Sequence, residues 1–411
     1  MKVNSVNTSI NYVLLVFSFV FPLSVPIGNA LMALLILLWV IEGGWREKYV
    51  RLRASKAFIL YAAFILFLGA SLLWSHGTSG GFGGKHASNM VFAYANGYLF
   101  DFMLIPIVLT SVKKAYITYM VSAFLAAMFV SEMMSWGIFM GWIHYKHVLP
   151  TDPSPFMHHS FYSIFLAVTI FVLVTQLSQA KRLGYKILLS LFILSATVNH
   201  FLNGGRLGQL AFFMALFVFI GLKYRITLKS IVLTVGLTAG VFVLAYNMSP
   251  IFQKRMDLSV ESLSKISEGN YNSSWGIRAN ILIVAKEIVK ENPLLGIGMG
   301  NAKVAFLEKA KAFPQTDFFT HLKHLHNGYM QILVESGLLG LGLFLFFIYT
   351  LIGSTLQRDQ WMLIVTILTV YLVGFMGEPL LFSRQPYLLF NFFVGLALYL
   401  SLEREKKEIG D

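Results

Sequence analysis

Long apolar runs, separated by short polar connections, dominate the pattern of this chain. A helix needs about 20 mainly apolar residues to cross the hydrocarbon core of a bilayer. The runs lie at 11–24, 27–41, 57–74, 98–111, 115–138, 159–178, 187–202, 207–222, 230–247, 329–352, 360–376 and 386–402. This pattern predicts an all-α polytopic membrane protein with about 12 transmembrane helices, whose ends are defined to within a few residues.

The composition agrees with a membrane protein and excludes several kinds of site. Hydrophobic residues make up 57% of the 411 positions and charged residues only 12%, and the mean hydropathy is +0.69. Soluble domains carry about 25% charged residues. The chain has no cysteine, which excludes disulfides, thiolate metal sites and a cysteine nucleophile. No small-residue cleavage site precedes the second run, so the first run is expected to be a retained helix.

The basic residues predict the orientation of the chain. Lysine and arginine collect in cytoplasmic connections, and placing both termini in the cytoplasm puts 18 of the 32 basic residues there. The short outer connections then hold only Lys85, Lys146, Arg206 and Arg384. The net charge of +13 is therefore mainly a topology signal and does not indicate nucleic-acid binding. The expected division is spans one to nine in 1–247, a periplasmic catalytic loop in 248–328, and three spans with a cytoplasmic tail in 329–411.

The long loop is the one segment that resembles a soluble protein. A helical pattern runs from Trp275 to Val289, and Asn292-Pro293 should end it. The following LLGIGMGN, residues 294–301, resembles a nucleotide-binding glycine fingerprint. However, Asn301 replaces the third glycine and no strand pattern precedes the segment. We expect a tight turn before a helix that begins near Ala302, with exposed amides that could hold an anion.

Two groups of histidines lie on the predicted outer side. His321, His324 and His326 directly precede the tenth span, and three interpretations are open. The group could bind a metal, although its spacing matches no zinc motif and a metal is not expected. It could be a solvated surface cluster, or His326 could be a general base, because neutral imidazole has a pKa near 6.5 and can take a hydroxyl proton. His158 and His159 could line an acceptor pocket or lie at the membrane interface.

Two arginines on the same side indicate an anionic ligand. Arg206 follows Gly204 and Gly205 between the seventh and eighth spans, on the side where the positive-inside rule disfavours it. The alternative is that Arg206 binds no ligand and snorkels, so that its guanidinium reaches the water at the membrane surface. Arg278 lies near the start of the loop helix, where a cation opposes the helix dipole. Because the planar guanidinium binds phosphate oxygens in pairs, two such residues suit a diphosphate.

The ordered motifs NGGR at 203–206, WGIR at 275–278, NPLLGIGMGN at 292–301 and HLHNGYMQILVESGLLGL at 324–341 resemble the O-antigen ligase and O-antigen polymerase superfamily. This resemblance implies a glycosyltransferase that takes a glycan from undecaprenyl diphosphate at the periplasmic face of the bacterial inner membrane. It implies no nucleotide sugar, no cofactor and, for ligases, no metal. It assigns diphosphate binding to Arg206 and Arg278 and catalysis to His326. Candidate supporting residues are His324, Asn327, His158 and His159.

The resemblance also implies a reaction. His326 would deprotonate an acceptor hydroxyl, which attacks the anomeric carbon from the face opposite the diphosphate and inverts it. A ligase transfers the glycan to the lipid A-core of lipopolysaccharide, whereas a polymerase extends a second lipid-linked repeat unit. The single compact loop favours the ligase. A transporter or flippase of lipid-linked glycan is the alternative from another class, for which Asp101 and Glu132 are the candidate ionisable residues within spans.

Overall fold

The computed structural model describes residues 2–75, 91, 92, 94–224, 227–313 and 324–410, so His321 lies outside the described residues. We number the described helices of at least eight residues. They are α1 Lys2–Val20, α2 Val25–Glu42, α3 Trp45–Ala54, α4 Lys56–Ala70, α5 Leu104–Ser111, α6 Lys114–Phe139, α7 His159–Gln179, α8 Leu183–Leu202, α9 Arg206–Tyr224, α10 Leu228–Met248, α11 Pro250–Ser267, α12 Ser274–Glu291, α13 Ala302–Ala310, α14 Gly328–Ile352, α15 Arg358–Gly374 and α16 Arg384–Gly410. Shorter helical turns lie at Ser71–Leu73, Ala95–Leu99, Phe100–Phe102 and Leu380–Phe382.

The predicted spans coincide with helices. Each of the twelve apolar runs overlaps at least one described helix. Among the described residues, nine helices are long and apolar enough to cross a membrane, and shorter apolar stretches lie at Ser5–Val20 and Ala95–Ser111. The regular structure of the described residues is therefore all helical, as expected for a polytopic membrane protein. The count of twelve spans stays a prediction.

Two helices form the centre of the bundle. In the apolar stretch of α16, 94% of the residues are buried, and in α7 the share is 72%. The corresponding share in α10 is 6%, which places that helix at the periphery. Around the centre, α9 packs between α7 and α15, and α4 packs along α14. The ring of Tyr61 stacks on Phe347 with 4.3 Å between centroids, which joins α4 to α14.

The two ionisable residues considered for transport have structural partners. Asp101 forms an ion pair of 2.9 Å with Arg384, which ties the Phe100–Phe102 turn to the start of α16. The carboxylate of Glu132 accepts a hydrogen bond from Trp136 within α6 and another from Ser195, which joins α6 to α8. These contacts make one oxygen of each buried carboxylate part of the helix packing.

The glycine-rich turn packs into a break in α14. Gly337 adopts φ 63°, and a Cβ there would lie 2.2 Å from the carbonyl oxygen of Leu294. The tight turn and the helix that starts at Ala302 confirm that part of the prediction. The expectation of exposed amides is wrong, because Gly298 donates to the Glu335 carbonyl and Gly300 donates to the Glu335 carboxylate, each at 3.0 Å.

The segment between α10 and α14 is folded against the bundle. The predicted helix from Trp275 to Val289 lies within α12, which ends at Glu291 just before Pro293. Helices α12 and α13 pack on α14 in a second apolar cluster. Its buried members are Ile281, Val284, Ala285, Ile288, Ala302, Phe306, Ala310, Leu325 and Val334. This cluster fixes the start of α12 relative to the residues that precede α14.

Candidate functional site

The candidate residues meet at one end of the bundle. We call the site end the end formed by the connections 140–158, 203–205 and 375–383, which lead into α7, α9 and α16. Residues 324–327, before α14, dock onto the same end. Arginine, histidine and carboxylate side chains from segments far apart in the chain are thereby brought together.

The chain turns sharply at the histidines. His326 has φ 44°, a left-handed conformation that costs an L-residue about 1–2 kcal/mol and that recurs at functional sites. Asn327 caps α14 by accepting from the Met330 amide at 2.9 Å, and its side chain donates to the Met376 carbonyl at 3.1 Å. The Gly328 amide donates to the Phe375 carbonyl at 2.7 Å. These bonds hold the turn against the end of α15.

Glu378 lies at the centre of this arrangement. Its carboxylate is 3.3 Å from Nδ1 of His326, 3.7 Å from Nε2 of His324 and 4.0 Å from Nη2 of Arg278. The Glu378 side chain is only 8% exposed. The structure therefore joins three of the predicted residues through a carboxylate that the motifs do not contain.

Nothing close to Glu378 in the sequence predicts its role. It occupies the short connection MGEPLL, residues 376–381, far along the chain from the histidines. The acids nearest to the histidines in the sequence are Asp317 and Glu335. Asp317 lies outside the described residues, and the Glu335 side chain bonds to Gly300 and Gln331. A single acid before a proline in an otherwise apolar connection is the signal that could have indicated Glu378.

The surroundings keep Glu378 ionised. Burial alone raises the pKa of a carboxyl, but the hydrogen bond and charge of His326 and the charges of His324 and Arg278 outweigh it, so the pKa of Glu378 is lowered. An ionised carboxylate only accepts hydrogen bonds. Nδ1 of His326 must therefore donate to it. In neutral His326 the proton is on Nδ1, and Nε2 is the basic atom.

The same reasoning distinguishes His324 from His326. The backbone amide of His326 donates to Nδ1 of His324 at 3.3 Å, so that nitrogen is an acceptor. Nε2 of His324 then carries the proton that faces Glu378. Both ring nitrogens of neutral His324 have structural partners. The arrangement favours His326 as the base and His324 as a supporting residue.

Both predicted arginines lie at the site end, each at the start of a helix and shortly after a glycine in the sequence. Arg206 begins α9 after Gly205, where a Cβ would lie 2.3 Å from Oγ of Ser163, so only glycine lets the turn approach α7. Nη1 of Arg206 donates to Oγ of Ser259 on α11 at 2.9 Å. Arg278 lies in the second turn of α12, where burial lowers its pKa and the charge of Glu378 opposes that effect. The charge of Arg278 also acts on Arg206.

His158 and His159 lie beside a second carboxylate. Nδ1 of His159 is 2.8 Å from Asp152, and the Gly204 amide donates to the same carboxylate at 2.8 Å. Although burial raises the pKa of Asp152, the hydrogen bond and charge of His159 and the Gly204 amide lower it overall. The rings of His158 and His159 are 4.0 Å apart, and the charges of Glu378 and Asp152 act on His158. Burial lowers the pKa of His158, so this imidazole stays neutral near pH 7.

The described residues contain one group with the composition of a metal site. One ligand atom each from His324, His326 and Glu378 lies within 4.8 Å of the others. Glu378 thus supplies a carboxylate beside the two histidines. The Arg278 guanidinium, 4.0 Å from the same carboxylate, disfavours a cation by charge repulsion. Metal independence stays a prediction.

Comparison with known protein families gives a match to one segment of the chain. Residues 189–345 match a family model described as O-Antigen ligase. The matched segment contains Arg206, Arg278, His324 and His326, whereas Asp152 and Glu378 lie outside it. No curated protein matches the chain at a significant level. The superfamily resemblance of the sequence motifs is confirmed.

Proposed function

Since residues 189–345 match a family model described as O-Antigen ligase, we propose that this protein is an O-antigen ligase. It transfers a glycan from undecaprenyl diphosphate to a hydroxyl of the lipid A-core, with inversion at the anomeric carbon. The observation that carries this proposal is the His326–Glu378 pair beside Arg278 at the site end. A base next to a cationic group suits a transfer in which a hydroxyl loses a proton and a diphosphate gains charge.

The chemistry begins with the acceptor hydroxyl. Nε2 of His326 removes its proton, while Nδ1 stays hydrogen-bonded to Glu378. The oxygen forms a bond to the anomeric carbon as the bond from that carbon to the diphosphate oxygen breaks. Attack from the opposite face gives inversion. Positioned base catalysis of this kind contributes about 10²- to 10⁴-fold in rate.

The arginines act on the leaving group. Arg206 and Arg278 are both partly removed from water at the site end. The bond pair leaves with the diphosphate oxygen, and the guanidinium groups stabilise the charge that develops there. Because arginine keeps its charge at any physiological pH, this stabilisation needs no proton transfer and no metal.

His158 and His159 flank the same region from the start of α7. The Asp152 carboxylate holds His159 and, through the Gly204 amide, the turn that leads to Arg206. We assign His158 and His159 to the acceptor side, because imidazole nitrogens can exchange hydrogen bonds with sugar hydroxyls. Asp152 then links the acceptor side to the arginine that binds the donor.

The topology follows from the distribution of basic residues. With both termini in the cytoplasm, the site end faces the periplasm from the inner membrane. Residues 1–247 then form nine spans, 248–328 the periplasmic segment with α11–α13, and 329–411 three spans and a tail. A lipid-linked donor can enter such a site laterally from the bilayer.

Reconstitution of the purified protein tests the proposal. Undecaprenyl-diphosphate-linked glycan is supplied with lipid A-core or with a second lipid-linked repeat unit, with and without excess EDTA. Transfer to lipid A-core that persists in EDTA supports the ligase. Extension of the second lipid-linked unit alone would identify a polymerase. Loss in EDTA with rescue by a divalent ion would instead make His324, His326 and Glu378 a metal site, and glycan transport without transfer would indicate a flippase.

A further inference from the structure

A third arginine that none of the sequence motifs contains lies at the site end. Arg255 is on α11, one turn before Ser259. Oγ of Ser259 accepts from Nη1 of Arg206 at 2.9 Å and donates to the backbone carbonyl of Arg255 at 2.8 Å. Residues four apart share one helix face. Arg255 is therefore on the face of α11 that turns towards Arg206.

Gly204 shows how closely the Arg255 side chain approaches. A Cβ at position 204 would lie 3.2 Å from Nη2 of Arg255 and 2.9 Å from Oδ2 of Asp152. The guanidinium thus lies directly against the turn that carries Arg206. Any side chain at 204 would enter the space between Arg255 and Asp152, so glycine leaves this approach open.

Arg255 adds a positive charge beside the turn that carries Arg206. Arg255 is half-buried, and its charge and that of Arg278 both act on Arg206. In the part of the chain that the structure describes, no carboxylate forms an ion pair with Arg255. Asp152 is instead held by His159 and the Gly204 amide. The positive charges of Arg255 and Arg206 repel each other, and an anion bound beside both removes that repulsion.

The chemistry of the proposed donor gives that anion. A diphosphate bonded to lipid at one end and to a glycan at the other carries two negative charges. When the bond to the glycan breaks, the bond pair stays on the terminal phosphate, which gains a further charge. This additional negative charge is absent before the reaction, and a third cation can stabilise it. Such a group stabilises the late transition state and the product more than the substrate.

We propose that Arg255 is a third diphosphate-binding residue, placed to bind the charge that appears on the leaving diphosphate. This inference rests on the proposed function. Arg206 and Arg278 hold the donor, and Arg255 distinguishes a diphosphate from a monophosphate.

The test compares Arg255→Gln with Lys254→Gln. Lys254 is exposed on the same helix, so its variant removes one positive charge beside the site without changing a site residue. The probes are undecaprenyl diphosphate and undecaprenyl monophosphate in detergent, with dissociation constants measured for each. In Arg255→Gln we expect about tenfold weaker diphosphate binding and less than about twofold change for the monophosphate, as for loss of one charge-assisted contact. Lys254→Gln should bind both lipids as the wild type does.

Glycan transfer by the same proteins separates the two proposals. Absence of transfer by the wild type would contradict the proposed ligase. Wild-type transfer together with equal diphosphate affinity in Arg255→Gln and Lys254→Gln would refute the role of Arg255. Arg255→Lys keeps the charge and loses the paired hydrogen bonds, so its affinity should lie between those of the wild type and Arg255→Gln. If Arg255→Gln fails to fold, wild-type diphosphate affinity in Arg255→Lys would overturn the proposal.

Discussion

Replacement of Glu378 by glutamine tests the catalytic arrangement most directly. The change keeps the size of the side chain and removes the charge that lies 3.3 Å from His326. A glutamine amide can donate as well as accept, so it no longer forces the His326 proton onto Nδ1. In part of the variant molecules neutral His326 then carries its proton on Nε2, and that atom can no longer accept the proton of the acceptor hydroxyl.

The structure gives the expected size of the effect. A hydrogen bond to a charged group contributes about 1.5–3 kcal/mol, which is about 10- to 150-fold in rate. Removal of the carboxylate behind the histidine of a serine protease costs about 10⁴-fold. The Glu378 carboxylate is shared with His324 and Arg278, and its contact with His326 is longer than a strong hydrogen bond. We therefore expect kcat to fall about 10- to 150-fold.

The assay measures kcat and KM for the lipid-linked donor with lipid A-core as acceptor. KM should change little, because the arginines still bind the diphosphate. Glu308→Gln is the matched control, since Glu308 is exposed on α13 and the same chemical change there should be silent. A folded Glu378→Gln protein with wild-type kcat, or with a loss confined to KM, would refute the orienting role of Glu378.

Four further predictions follow from the same geometry. His326→Ala should abolish transfer while donor binding persists, and His324→Ala should leave partial activity, both measured by consumption of the lipid-linked glycan. Equal loss of activity in the two variants would favour a metal that both histidines bind. Arg278→Lys should raise the dissociation constant of undecaprenyl diphosphate about tenfold because the paired hydrogen bonds are lost; an unchanged constant would remove Arg278 from the site. Because the pKa of Glu378 is lowered in the folded protein, its ionised form stabilises the fold above the unfolded value of about 4.3, and this contribution is lost as the pH falls through the folded value. The Tm difference between wild type and Glu378→Gln should accordingly shrink below about pH 4.3, and a constant difference from pH 6 to pH 3 would contradict it. Gly337→Ala should destabilise the protein by more than about 1–2 kcal/mol, because it adds a left-handed alanine and a clash with Leu294, whereas Gly342→Ala meets no atom within 4 Å and should keep the wild-type Tm.

The sequence alone determined the helices and their class. Apolar runs of membrane-spanning length form helices because every backbone polar group must be satisfied inside the bilayer, which is a local requirement. Asn292-Pro293 likewise ended α12 where the sequence indicated, since proline lacks the amide that would continue the helix. Arg206, Arg278 and His326 were singled out as candidate residues because their charge or proton chemistry is unusual for their position in the chain.

Only the tertiary structure decided which groups meet. Glu378 reaches His326 across 52 positions of sequence, and Arg255 reaches the Arg206 turn through the packing of α11. The glycine-rich turn shows the same limit, because its amides bond to Glu335 in the broken α14 and not to a ligand. A hydrogen bond or ion pair between distant segments depends on how the helices pack. No local pattern of residues contains that information.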